Sequence, residues 1–215
     1  MQRDLSDYRK TYEKGDLSEK SVSSDPMNLF RSWFQEIELA APDQENNAMS
    51  VSSIGLDGFP KTRVVLLKKF DSNGFVFYTN YNSEKGRSLA NDNRICASFF
   101  WPALERQVII KGRAVKIAED SSDSYFASRP KGSQLGAIAS NQSEVVSSRE
   151  ELDLKLQELT LEFENKTIKR PQNWGGFQIS AISLEFWQGR PNRMHDRLRY
   201  SIQKDNSWKL ERLAP

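Results

Sequence analysis

The segment Arg193-Met194-His195-Asp196-Arg197 is the densest group of ligand-binding side-chain types in the chain. Arg193, His195 and Arg197 alternate, so on a β-strand all three would project from the same face. Two guanidinium groups around an imidazole repel one another unless an anion or a polar ligand joins them. We therefore expect this face to bind a polar ligand, and the alternative is a strand exposed to solvent.

Two earlier segments combine cations with groups that bind phosphate. Arg63 and Lys68 flank an apolar run, but their odd separation places them on opposite faces of a regular strand. A bulge or a long reach of the side chains would be needed to bring both to one pocket, and the alternative is that both extend into solvent. Ser83 and Lys85 begin a predicted helix whose unpaired N–H groups attract anions, unless the segment is simply a capped helix.

A further segment places a phenol near a guanidinium group. Tyr125 and Arg129 are four residues apart and so share a helix face, and Ser133 follows the break that Pro130 imposes. A phenol, a guanidinium and a hydroxyl group that converge would suit a phosphate monoester. A solvated helix end is the competing interpretation.

The composition excludes several classes of function. The 215 residues include 31 Lys and Arg against 29 Asp and Glu, so the net charge of +2 gives no reason to expect binding to nucleic acid or a membrane surface. One histidine and one cysteine cannot supply the usual transition-metal ligands, so we expect no metal site. The sequence also contains no P-loop and no dinucleotide-binding glycine motif.

Two features predict a cytoplasmic protein. Cys96 is the only cysteine and cannot form an internal disulfide, which favours a reducing compartment. Residues 1–20 are charged throughout and contain no apolar run long enough for a signal peptide or a membrane span.

These candidate residues must be positioned by a mainly β fold. The polar residues 1–24 predict a mobile N-terminal arm, and residues 25–215 predict a single domain. Turn signals at Asp57-Gly58 and Asn73-Gly74 separate short β-rich runs. We expect strands near residues 48–56, 59–70, 75–80, 94–101, 106–118, 176–187, 192–200 and 206–211.

Helices are predicted where capping residues precede apolar residues at helical spacing. Asp25 with Pro26 begins the first helix, Ser83 the second and Ser148 the last, and another ends before Pro130. The last helix should bury a stripe of four residues, Leu152, Leu156, Leu159 and Phe163. Strands joined mainly by tight turns form antiparallel sheets, and six or more usually close to remove their edges. We therefore expect an antiparallel β-barrel with peripheral helices.

Taken together, the segments resemble the pyridoxamine/pyridoxine 5'-phosphate oxidase family from about Asp25 to Pro215. Motifs similar to the family's occur in the family's order: Arg63-Val64-Val65-Leu66-Leu67-Lys68, Phe77-Tyr78-Thr79-Asn80, Glu105-Arg106-Gln107-Val108, Tyr125-Phe126 with Ser128-Arg129-Pro130, Gln142-Ser143, Trp174-Gly175-Gly176, Glu185-Phe186-Trp187-Gln188-Gly189 and His195-Asp196-Arg197. The resemblance implies a split β-barrel that binds FMN at a homodimer interface. It also implies oxidation of pyridoxamine and pyridoxine 5'-phosphates to pyridoxal 5'-phosphate, with O2 reduced to H2O2.

The resemblance implies a role for each candidate residue. The residues that would bind FMN are Arg63, Lys68, Tyr78, Thr79, Lys85, Gln107, Gln142, Ser143, Trp187 and Arg197. Those that would bind the substrate phosphate are Lys68, Tyr125, Arg129 and Ser133, and Arg193 and His195 would lie over the pyridine ring as catalytic residues. One residue departs from the family pattern, because Glu84 stands where a basic residue is common. We expect Glu84 to turn outward to water and leave the FMN phosphate to Arg63 and Lys85.

Two other functions are compatible with parts of this pattern. A split-barrel flavoprotein with another substrate would lack the second site made by Tyr125, Arg129, Ser133, Arg193 and His195. A non-catalytic flavin or tetrapyrrole-binding module would keep the flavin residues without needing Arg193 and His195.

Overall fold

The computed structural model describes residues 3–215. Its helices are α1 Pro26–Ala40, α2 Glu84–Asn91, α3 Glu119–Ser128, α4 Lys131–Ala139 and α5 Arg149–Glu162. Its strands are β1 Ala48–Ile54, β2 Pro60–Leu66, β3 Lys69–Asp71, β4 Gly74–Asn80, β5 Arg94–Trp101, β6 Arg106–Lys116, β7 Trp174–Gln188, β8 Asp196–Ile202 and β9 Trp208–Leu213. The predicted mainly β class is confirmed.

The strands form one sheet in the order β2-β1-β5-β6-β7-β4-β3, with β8 paired to both β7 and β9. The pairs β3–β4, β4–β7, β7–β8 and β8–β9 are antiparallel. Both predicted glycine turns are confirmed, since Gly58 and Gly74 have φ of 81° and 132°. At Gly74 a side chain is also excluded, because a Cβ atom would lie 2.0 Å from the carbonyl oxygen of Ile179.

The predicted helix starts are confirmed by their capping hydrogen bonds. Asp25 accepts from the N–H of Met27, Ser83 from that of Gly86, and Ser148 from that of Glu151. Helix α4 was not predicted, because its small apolar residues follow Pro130 without a capping side chain. The predicted buried stripe of α5 is wrong, since no residue of that helix is buried and Leu156 is exposed.

Two predicted strand boundaries need correction. The predicted strand 59–70 is two strands, because β2 ends at Leu66 and β3 begins at Lys69. The predicted strand 192–200 begins only at Asp196, since Pro191–Arg193 forms a 3-10 turn in which Arg193 has φ of 60°.

The described chain contains two compact units, each made of separate segments. Residues 3–49, 97–111 and 181–215 form the first unit. Its core is aromatic: Phe30 of α1 contacts Phe99 with ring centroids 5.4 Å apart, and Trp33 contacts Phe186 at 5.2 Å. Tyr200 is fully buried there, and its hydroxyl group donates to the carbonyl of Ser23 at 2.7 Å.

Residues 50–96 and 112–180 form the second unit. Strand β4 is buried along nearly its whole length, and Phe77 packs against Phe177 at 5.9 Å. A separate cluster of Phe126, Leu135, Ile168 and Trp174 is buried beside the helices. The prediction of a single domain stays a prediction.

The N-terminal segment makes specific contacts within the first unit. The N–H groups of Glu13 and Lys14 donate to the buried carboxylate of Glu105 at 2.8 and 3.0 Å, and Leu17 is buried. The predicted mobility of residues 1–24 concerns behaviour in solution and stays a prediction, and residues 1–2 lie outside the described residues. Between residues 3 and 215, no helix has both the length and the apolar character that crossing a bilayer requires.

Candidate active site

A cavity of about 630 Å³ in the second unit collects most of the predicted site residues. This volume falls in the range of small-molecule sites, about 300–1,000 Å³. Ten predicted residues line it: Arg63, Lys68, Tyr78, Thr79, Lys85, Tyr125, Arg129, Ser133, Gln142 and Ser143. They come from two strands, three helices and the segments that join them, which are far apart in the sequence.

The break between β2 and β3 explains how Arg63 and Lys68 line the same cavity. The chain leaves the strand after Leu66, and the backbone N–H of Lys68 then donates to the carbonyl of Val76 at 2.8 Å. Because this break resets the alternation of side chains, the odd spacing no longer separates the two residues. The break after Leu66 therefore supplies the interruption that the odd spacing of Arg63 and Lys68 requires.

Glu84 is not among the residues that line the cavity and its side chain is 31% exposed, but it does not leave Arg63 to a phosphate, so that part of the prediction is wrong. One carboxylate oxygen lies 2.5 Å from a terminal guanidinium nitrogen of Arg63, and the other lies 3.4 Å from the ammonium group of Lys61. Lys61 also pairs with Asp57 at 2.8 Å. The cation that was expected to hold a phosphate is thus paired with a carboxylate of the same chain.

Lys85 differs from Arg63 because it has no ion-pair partner among residues 3–215. Its ammonium group donates to the hydroxyl group of Thr79, which in turn donates to the side-chain carbonyl of Gln142 at 3.2 Å. Burial, and then the nearby Arg63, lower the pKa of Lys85 to about 8. An anion beside Lys85 would reverse this effect by stabilising the charged form.

A stack of aromatic rings forms one wall of the cavity and carries Arg129. The ring of Tyr78 lies nearly parallel to those of Tyr125 and Trp174, with centroids 3.9 and 5.4 Å away and interplanar angles of 19° and 12°, and the centroids of Tyr125 and Trp174 are 6.2 Å apart. The guanidinium group of Arg129 lies 4.7 Å from the centroid of Trp174, a cation–π geometry. One terminal nitrogen of Arg129 is buried and has no hydrogen-bond partner within residues 3–215, and burial lowers the pKa of this group.

The remaining predicted residues belong to the first unit and do not line this cavity. They are Gln107, Trp187, Arg193, His195 and Arg197. Gln107 donates to Ser98 at 3.1 Å, and Arg197 pairs with Glu185 at 2.7 Å and donates to the carbonyl of Ala214 at 2.9 Å.

The predicted alternation of Arg193, His195 and Arg197 along one strand is wrong. Only Arg197 lies on β8, because the 3-10 turn and the left-handed conformation of Arg193 precede that strand. His195 instead lies against Trp187, with centroids 4.7 Å apart, and against Tyr12 at 5.8 Å. The three side chains are close in sequence, but a strand face does not align them.

Two aromatic residues near these groups were not predicted as site residues. Trp174 supports Tyr78 and Arg129, and its place in the Trp174-Gly175-Gly176 motif could have pointed to it. Tyr12 contacts the rings of Trp187 and His195, but it lies in a polar segment whose sequence carries no sign of a docked structure.

Comparison with known proteins places this geometry in a family. Residues 36–162, more than half of the chain, match the model described as pyridoxamine 5'-phosphate oxidase. This chain belongs to the pyridoxamine 5'-phosphate oxidase family. Residues 174–215 match a second model, described as the pyridoxine 5'-phosphate oxidase C-terminal dimerisation region. The family is one of oxidoreductases.

Individual relatives agree with this assignment. A Flavobacterium psychrophilum protein named pyridoxine/pyridoxamine 5'-phosphate oxidase is 60% identical over 99% of this chain and 100% of its own length. The structure of PhzG from Burkholderia lata, in complex with tetrahydrophenazine-1-carboxylic acid, is 28% identical with a TM-score of 0.85, covering 91% of this chain and 95% of that one. A pyridoxamine 5'-phosphate oxidase-related, FMN-binding protein from Nostoc punctiforme shares the fold, with a TM-score of 0.71 at 12% identity over 90% of this chain and 100% of that one. The predicted split-barrel fold class is confirmed.

Proposed function

We propose that this protein uses FMN to oxidise pyridoxamine 5'-phosphate and pyridoxine 5'-phosphate to pyridoxal 5'-phosphate, with O2 reduced to H2O2. The observation that carries the proposal is the cavity, which Arg129 lines beside three aromatic rings, with one buried guanidinium nitrogen that has no hydrogen-bond partner among the described residues. A phosphate would satisfy that nitrogen, and flat rings suit a pyridine or flavin ring. The name of the Flavobacterium psychrophilum relative supports the same substrates.

The residues of the cavity fit FMN. Lys85 has no carboxylate partner among the described residues and has its pKa lowered by burial, so a phosphate beside it would be favourable. The hydroxyl group of Thr79 and the amide of Gln142 add hydrogen-bonding groups next to Lys85. We assign Arg63, Lys68, Tyr78, Thr79, Lys85, Gln142 and Ser143 to FMN in this cavity. When bound, FMN would supply the two-electron acceptor for the hydride from the substrate C4' carbon.

Arg129 would hold the substrate phosphate with Tyr125, Ser133 and Lys68. The guanidinium group of Arg129 lies against the ring of Trp174, so this side chain would lose little conformational entropy when it binds a phosphate. Binding energy from a phosphate lies away from the reacting carbon and orients the ring for the reaction. The three rings of Tyr78, Tyr125 and Trp174 make that wall of the cavity largely apolar.

We assign the residues of the first unit to a site completed in a homodimer. Gln107, Trp187 and Arg197 would contact FMN, and Arg193 and His195 the pyridine ring, but none of the five lines the cavity in a single chain. The match of residues 174–215 to a dimerisation region supports a second copy as their source. The single cysteine favours a reducing, cytoplasmic location.

The direct test is to load the purified protein with FMN and record peroxide with each phosphate ester. We expect H2O2 and pyridoxal 5'-phosphate in equal amounts from both esters, and very little from unphosphorylated pyridoxine. Bound FMN without peroxide from either ester would instead indicate a non-catalytic flavin module. Peroxide formed only with an unrelated substrate would indicate a different oxidase on the same fold.

A further inference from the structure

The loop between β7 and β8 has an unusual backbone conformation. Asn192 and Arg193 are consecutive residues with φ of 57° and 60°, in the left-handed region that residues other than glycine rarely occupy. Such a conformation persists only where surrounding contacts hold it. Arg193 is exposed, so its position depends on the backbone of this loop rather than on packing of its own side chain.

The imidazole of His195 closes this loop. The backbone N–H of Arg190 donates to Nδ1 of His195 at 3.0 Å, which joins the second residue of the loop to the last. Inside that closure, the N–H of Met194 donates to the carbonyl of Pro191 at 3.1 Å. The side chain of Arg190 is itself tied down, since it donates to the carbonyl of Gly15 at 2.9 Å and lies 3.6 Å from Asp196.

This contact determines which nitrogen of His195 carries the proton. A backbone N–H can only donate, so Nδ1 must offer its lone pair, and the neutral ring must carry its hydrogen on Nε2. The ring is held on two sides, by Trp187 at 4.7 Å and by Tyr12 at 5.8 Å. Protonation at Nδ1 would break the bond to Arg190 and open the loop.

We infer that His195 is a positioning residue for Arg193. Its Nδ1 atom holds the left-handed loop that presents Arg193, and its Nε2–H remains a hydrogen-bond donor for a ligand. His195 therefore does not act as a base through Nδ1. The consequence for turnover rests on the proposed function, whereas the tautomer and the loop closure can be measured without any substrate.

The first test uses the fact that His195 is the only histidine in the chain. In FMN-loaded protein labelled with [15N]histidine, long-range 1H–15N spectra at pH 7 to 8 should show one tautomer, with Nδ1 unprotonated and Nε2 protonated. A proton on Nδ1, or nitrogen shifts averaged between the two tautomers, would overturn the inference.

The second test separates the two ring nitrogens by substitution. In His195→Asn the side-chain oxygen can take the place of Nδ1, whereas His195→Gln extends a polar group towards the place of Nε2 and His195→Ala provides neither. We expect hydrogen exchange of the Arg190 amide to stay near the wild-type rate in the Asn variant. It should rise about tenfold or more in the Gln and Ala variants. FMN content and circular dichroism would check that each variant folds.

Kinetics then connect the loop to Arg193. The Asn variant should keep KM within about threefold and lose mainly kcat, because the loop is intact and only the Nε2 donor is missing. The Ala variant should lower kcat and also raise KM, and Arg193→Ala should raise KM to a similar extent. Exchange of the Arg190 amide at the wild-type rate in the Gln and Ala variants would show that the imidazole does not hold the loop, and absence of oxidase activity would leave that result unchanged.

Discussion

The ion pair between Glu84 and Arg63 should weaken FMN binding, and removing the carboxylate should strengthen it. Glu84 is in the first turn of α2, where an acid complements the helix dipole, and it pairs with Arg63 at 2.5 Å. If Arg63 binds the FMN phosphate as proposed, the phosphate must compete with this carboxylate for the same guanidinium group. The perturbation is therefore Glu84→Gln, which keeps the shape of the side chain and removes its charge.

The size of the effect follows from the exposure of the pair. The side chains of Arg63 and Glu84 are 49% and 31% exposed, so solvent screens their attraction. Pairs of this kind contribute about 0.2–1 kcal/mol. Relief of about 0.7 kcal/mol corresponds to about a threefold lower Kd for FMN in Glu84→Gln. Glu84→Arg adds a cation as well, and recovery of about 1.4 kcal/mol would lower Kd about tenfold.

Fluorescence titration of apoprotein with FMN measures both variants. The gain should be larger at low ionic strength, because salt screens exposed charges. Glu158→Gln, an exposed position on α5, makes the same change of charge and should leave Kd unchanged. The apoprotein melting temperature would show whether a variant is damaged. A folded Glu84→Gln variant with unchanged or weaker FMN affinity would refute the competition, and weaker affinity would mean that Glu84 holds Arg63 ready for the phosphate.

Three further predictions concern the same cavity and its partner chain. Lys85 has its pKa lowered to about 8 in the free protein, and a bound phosphate would raise it. FMN affinity should therefore be highest below pH 8 and should fall as the pH rises above it. FMN titrations between pH 7 and 9.5 should show no such fall in affinity for the Lys85→Met variant. Arg129→Ala should lower kcat/KM for the phosphate esters about ten- to a hundredfold, since a charge-assisted hydrogen bond is worth about 1.5–3 kcal/mol. Steady-state assays should show unphosphorylated pyridoxine unaffected, and an equal loss for both would indicate a structural role. Dilution should release FMN and activity together if two chains share the site, and a monomer in light scattering that retains stoichiometric FMN would contradict this.

Local features of the fold could be predicted because their causes are local. Asp25, Ser83 and Ser148 cap helices through hydrogen bonds to residues two or three positions later, and Gly58 and Gly74 take conformations that side chains disfavour. Alternation and turn signals likewise placed most strands within a few residues of their observed limits. The errors occur where a local preference was overridden, as in α5, whose apolar residues had too little core to bury them.

The candidate site likewise has features that could be predicted from the sequence and features that could not. Motif resemblance selected ten residues that line one cavity, because side-chain type and order along the chain are properties of the sequence. It could not show that Arg63 pairs with Glu84, since a contact across 21 residues depends on how β2 and α2 approach each other. It also misjudged Arg193 and His195, where simple alternation assumed a strand.

The family, the antiparallel β class and the kinds of group available for phosphate and flavin can be recognised from the sequence, since these follow from residue order, turn chemistry and periodicity. Which charges are already paired becomes visible only in the folded chain. Among the described residues, Lys85 has no carboxylate partner and one nitrogen of Arg129 has no hydrogen-bond partner, whereas Arg63 is paired with Glu84. The residues predicted to share a strand face instead include a loop, which is closed by the hydrogen bond from the backbone N–H of Arg190 to His195. The physical reason is range: caps and turns act over a few residues, whereas ion pairing and desolvation depend on groups that folding brings together from distant parts of the chain.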